Sequence, residues 1–127
     1  MITTTSENSP YQVRFSNGTH WGVSDTTPDK GGGSSGFRPH ELLEAALGSC
    51  LNMHVRMYAD NHGISIGKVT TKVTLDRSNP DKAIFSCSIG FSEDLSRDQV
   101  AKLMQVSAAC PVHNTLSREI VIRESAE

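Results

Sequence analysis

Apolar residues alternate with polar ones from Tyr11 through Val13 to Phe15, and again at Trp21 and Val23. Asn17-Gly18 lies between the two runs, the strongest short signal for a hairpin because both residue types tolerate positive φ. The pattern predicts strand, turn, strand. Ahead of it, residues 1–9 are polar and rich in Ser and Thr, and a flexible, frayed N-terminus is expected there. Residues 25–38 (DTTPDKGGGSSGFR) have the Gly, Ser and Pro density of a loop too long for a tight turn.

The period then changes. Pro39 suits the first helical position, and no further proline occurs before Gly63, which suits the stop. Leu43, Ala46, Leu47, Cys50, Leu51, His54 and Met57 recur at spacings of three and four, which places them on one helical face. The expected helix is about 23 residues and roughly 35 Å long at 1.5 Å per residue. Two half-buried strands follow, Val69 to Leu75 and Phe85 to Phe91, joined by a turn at Ser78-Asn79-Pro80-Asp81. Ser96-Arg97-Asp98-Gln99 fits a capping box. It opens a second helix with Val100, Leu103, Met104, Ser107 and Ala108 on its buried face, ending at Cys110-Pro111. Ile120 and Ile122 mark a final strand over Glu119–Arg123. The order ββ-α-ββ-α-β points to an α+β fold, as a single domain over residues 10–127.

Charge and composition narrow the function. Among 127 residues, 12 Lys+Arg face 14 Asp+Glu, a net charge of −2 that argues against a protein built to hold nucleic acid. No apolar run approaches a membrane span, and MITTTSENSP lacks the regions of a signal peptide. With one Trp, two Tyr and four Phe, the core must be assembled from small aliphatics. So lean a core suggests completion in a homodimer. Three cysteines, 50, 87 and 110, do not make a disulfide framework, and the cytoplasm is the expected address.

Cys50 and Cys110 stand out by context. Cys50 follows Gly48 and Ser49, small residues that let another backbone approach, and Cys110 ends the second helix. If packing brings their Cα atoms within about 7 Å, the pair could form a reversible disulfide; otherwise each is a small buried hydrophobe. Cys87 shares a strand face with Phe85, Ile89 and Phe91 and reads as core packing. Cys50 with His54 and Cys110 with His113 are zinc-type ligands, but the 60-residue gap is unlike compact structural zinc sites.

The segment from Gly36-Phe37-Arg38-Pro39-His40-Glu41-Leu42-Leu43 through Gly48-Ser49-Cys50 to Gly63 resembles the central-helix signature of the OsmC/Ohr family. Ala108-Ala109-Cys110-Pro111-Val112-His113 resembles its second-cysteine motif. The resemblance implies an OsmC-like α+β fold in which two protomers intertwine, with long central helices between antiparallel sheets. It also implies cysteine-dependent reduction of organic hydroperoxides at the dimer interface, without cofactor or metal. By that likeness Cys50 is the peroxidatic thiol and Cys110 the resolving one. Glu41 is the helper carboxylate, Arg38 or alternatively Arg14 the activating arginine, and an external dithiol such as a lipoylated protein the reductant. His40 stands where well-characterised members have Glu, and Glu41 matches the Pro-x-Glu-Leu-Leu form of another branch. A helper is needed because a free thiol, with a pKa near 8.5, is only a few per cent thiolate at neutral pH. From a different class, the same fold could serve as a non-catalytic module that binds a small apolar ligand or senses redox state.

Overall fold

A computed structural model describes all 127 residues. The chain divides into two compact units, Met1–Leu43 and Glu44–Glu127. Each is built around its own antiparallel sheet, of three strands and two respectively.

The first unit holds β1 (Thr3–Ser6), β2 (Val13–Ser16) and β3 (Trp21–Ser24), in the order β1-β2-β3. The strand β1 corrects the expectation of a frayed terminus. Thr3 to Ser6 pair with Ser16 to Val13, so backbone hydrogen bonds order a segment with no hydrophobic pattern. The β2–β3 hairpin forms as the sequence predicts, closing through a loop in which Asn17 Oδ1 accepts from the N–H of Thr19 (3.0 Å) and His20 (2.7 Å).

Residues 25–38 fold into a tight structure anchored on Asp25. Its carboxylate accepts from the N–H of Thr26, Gly33 and Ser35 and from the Ser35 hydroxyl, the last at 2.6 Å. Glycine is required at two places. A Cβ on Gly32 would lie 2.2 Å from the Thr26 carbonyl oxygen, and one on Gly36 would lie 2.2 Å from that of Val23.

The helix α1 (Pro39–Asn61) has the predicted length. Glu41 closes its first turn, accepting from the Arg38 backbone N–H (2.8 Å) and from Arg38 Nε (3.0 Å). Its buried stripe is Leu47, Gly48, Leu51, Val55 and Ala59. Here the expected face is corrected: Leu43, Ala46 and Met57 are exposed. Apolar residues occur around most of α1, so spacing alone did not identify the side that meets a sheet.

In the second unit, β4 (Val69–Asp76) and β5 (Ile84–Phe91) pair over their full length, Val69 opposite Phe91 and Asp76 opposite Ile84. The helix α2 (Arg97–Ser107) starts at the predicted capping box: Ser96 Oγ accepts from the Gln99 N–H, and Gln99 Oε1 from the Ser96 N–H. It buries Leu103 and Ser107 only, leaving Val100, Met104 and Ala108 exposed. A short helix, α3 (Pro111–Leu116), follows without having been anticipated. No strand forms over residues 119–123; Ile120, Val121 and Ile122 are exposed and without a sheet partner. Two apolar clusters make the core, one around Val55, Ala59, Ile66 and Leu103, the other around Leu47, Leu51 and Cys110. Burying each large aliphatic side chain contributes about 1.5–3 kcal/mol.

Candidate active site

Helix α1 is held close to β4 two positions before Cys50. Thr71 Oγ1 donates to the Gly48 carbonyl at 3.0 Å, and a Cβ on Gly48 would meet Val73 Cγ2 at 3.3 Å. What approaches Gly48 is the side chains of Thr71 and Val73 rather than another backbone, and Ser49 is exposed. One turn of α1 thus presents Cys50 at the edge of the cluster formed by Leu47, Leu51 and Cys110.

Cys110 arrives from the other side as the N-cap of α3. Its sulfur accepts from the His113 N–H at 3.3 Å, and Pro111 fixes the first helical position. The structure brings Cys50 and Cys110 together, both as free thiols, with Cys50 packed against the buried cluster that holds Cys110. Burial pushes the Cys110 pKa up; the His113 N–H opposes that, and the neighbouring Cys50 adds to it. Cys110 is 0% exposed, whereas Cys50 is half-buried.

Cys87 corrects the reading of that residue as core. It is exposed, opposite Val73 on the hairpin, and lines a cavity of about 500 Å³ with Leu47, Leu51, Phe85, Ile89 and Met104. Alternation along β5 identified its face but not whether anything covers that face. His113 and Ser117 add polar edges to the cavity.

The helper candidates lie in the first unit. Arg38 and Glu41 form a preassembled ion pair at the start of α1, with Arg38 Nη2 3.0 Å from Glu41 Oε1, which lowers the Glu41 pKa through the backbone N–H and guanidinium of Arg38. The guanidinium of Arg14 stacks over Trp21, 4.6 Å from the ring centroid. His40 is exposed. His54 and His113 do not join the two cysteines in a cluster of three or more metal-ligating side chains. Sequence reasoning missed the His113 backbone N–H as a partner of Cys110; the Cys-Pro step, a cap residue before a proline at the first helical position, was the available signal.

An α+β chain with two antiparallel sheets, a long helix and two apposed free thiols defines the class. The chain belongs to the OsmC-like protein family, whose profile matches residues 31–125. Solved structures of similar fold include an OsmC-like protein from Mycoplasma pneumoniae, 24% identical with TM-score 0.72, covering 91% of this chain and 85% of that one. The organic hydroperoxide resistance protein OhrB of Bacillus subtilis is 18% identical with TM-score 0.65, covering 92% and 89%. An organic hydroperoxide resistance protein OsmC from Legionella pneumophila is 16% identical with TM-score 0.66, covering 92% and 88%. At these identities the likeness is one of fold. No curated protein matches by sequence. No helix of the chain is long and apolar enough to cross a membrane.

Proposed function

We propose that this protein is a thiol peroxidase that reduces organic hydroperoxides through a Cys50–Cys110 dithiol/disulfide cycle. The observation that carries the reading is the apposition of the two free thiols, one half-buried and one sealed. Cys50 as thiolate attacks the terminal peroxide oxygen, giving a sulfenic acid and an alkoxide that leaves as the alcohol after taking a proton. Cys110 then attacks the Cys50 sulfur, releasing water and forming the disulfide. An external dithiol, such as a lipoylated protein, restores both thiols. The apolar walls at Leu47 and Leu51 suit an organic peroxide better than hydrogen peroxide.

Glu41 with Arg38 supplies the helper pair in this reading, with Arg14 as the alternative guanidinium. A guanidinium favours thiolate and hydrogen-bonds a peroxide oxygen, and the carboxylate orients it. A homodimer is the working unit. Ala46, Met53 and Met57 form an exposed apolar stripe along α1, and the alternating Ile120 and Ile122 present a strand pattern without a partner. Two copies would supply cover for both. Free thiols fit a reducing, cytoplasmic setting.

One equivalent of cumene hydroperoxide is expected to yield the Cys50–Cys110 disulfide by peptide mapping, and Cys50→Ser to abolish peroxide consumption. Undiminished turnover in Cys50→Ser, with no disulfide in the parent protein, would overturn the mechanism. The 500 Å³ cavity favours a second reading, a binding module for a small apolar ligand, in which peroxide consumption is no faster than that of a simple thiol.

A further inference from the structure

The two sulfurs of the pair differ in a way that fixes the direction of the recycling step. We propose that the external thiol reopens the disulfide by attacking Cys50 Sγ, with Cys110 always the leaving sulfur. This rests on the peroxidase reading above and deepens it.

Thiol–disulfide exchange requires the incoming thiolate to reach one sulfur in line with the S–S bond, so access selects the electrophile. Cys110 is 0% exposed, enclosed by Leu47 and Leu51 and packed by Val112 and Leu116, all from its own chain. Assembly with a second copy can only remove further surface, so Cys110 stays closed in any oligomer. Cys50 is half-buried, on the flank of α1 between its buried and exposed stripes. It must also be reachable in the working protein, because peroxide has to reach it.

The leaving side is prepared as well. The His113 N–H donates to Cys110 Sγ at 3.3 Å. That backbone donor is available to the negative charge that develops on Cys110 as the S–S bond breaks. In the reduced pair a charge on Cys50 opposes ionisation of Cys110. In the disulfide Cys50 carries no charge, so that opposition is absent while the N–H remains.

The step balances. A thiolate RS⁻ bonds to Cys50 Sγ, the Cys50–Cys110 bond breaks, and its electron pair leaves on Cys110 Sγ, which takes a proton. With a dithiol, the second thiolate attacks the reductant's own sulfur in the mixed disulfide. Cys50 is released as thiolate, and the reductant is oxidised to its cyclic disulfide.

Regiochemistry is read directly on the unmodified protein. The disulfide is formed with diamide, mapped, then exposed briefly to glutathione, quenched into acidic denaturant and alkylated with N-ethylmaleimide. Glutathione is expected on the Cys50 peptide and N-ethylmaleimide on the Cys110 peptide, by at least about tenfold over the reverse. Glutathione on Cys110, or an even split, overturns the inference, as does failure of diamide to link the two cysteines. A disulfide that forms with diamide and opens at Cys50, but never forms with cumene hydroperoxide, overturns the peroxidase reading and leaves the direction of opening intact.

Discussion

Asp25 and Cys110 are both sealed acids, 3% and 0% exposed, yet their proton affinities move in opposite directions. The Asp25 carboxyl is held down at about 2, foremost by the Ser35 hydroxyl and then by the backbone N–H groups of Ser35, Thr26 and Gly33. Those donors outweigh desolvation. The Cys110 thiol is pushed up because burial dominates and the His113 N–H offsets only part of it. Burial therefore does not set the sign of the shift; the donors that accompany it do. The donor-saturated carboxylate organises a loop, whereas the donor-poor sulfur keeps its proton and can still take part in chemistry.

Removing the walls around Cys110 should erase its side of that contrast. Leu51→Ala should cost about 2–5 kcal/mol in chemical denaturation, and should raise the rate at which native Cys110 is alkylated. An unchanged alkylation rate would show that Leu51 is not part of the seal.

The contrast should also appear as failure at opposite ends of the pH scale. Asp25 has a folded pKa below its unfolded value, so its stabilisation is present above about 4 and is lost as pH falls from 3.8 towards about 2. Asp25→Asn should flatten the melting temperature across that window. Cys110 has a folded pKa above that of a free thiol, so its contribution is present below the free-thiol pKa and is lost as pH rises through and beyond it. Cys110→Ala should flatten the alkaline limb, and a curve as steep as the parent's would reassign that limb to other groups.

Ser35→Ala removes the foremost donor and should move the Asp25 carboxyl from about 2 up towards 3.8, read by carbon-detected NMR titration. The smallest effect should come from a position remote in sequence from both acids. Ser96→Ala deletes the α2 cap at a cost of about 1 kcal/mol, without changing either titration.

The elements legible in the sequence were those whose pattern repeats. Helix α1 showed itself by Pro39, Gly63 and the spacing between them; β4 and β5 by alternation; α2 by its capping box. Cys50 and Cys110 were legible by context and by family likeness. What escaped notice depends on partners that spacing does not encode. The strand β1 is all Thr and Ser and is ordered by pairing with β2. Helix α3 is six residues, too short to establish a period. Asp25 sits in a polar loop that offered no hydrophobic clue. The segment 119–123 has a strand's pattern but no neighbouring strand to pair with.

The distance along the chain between the two thiols also bears on how the protein matures. A hairpin such as β4–β5 closes over short loops, and two strands alone are marginal until something packs on them. Helix α1 precedes the hairpin in the chain and supplies Leu47, Leu51 and Val55 to that packing. Cys110 lies 60 positions beyond Cys50, after α2, so during synthesis its thiol emerges only when the helix and hairpin are already outside the ribosome. The thiol pair is thus assembled late, and a nascent chain carries Cys50 without its partner. Until the last helix docks, Cys50 stands without the sulfur that the folded chain places beside it.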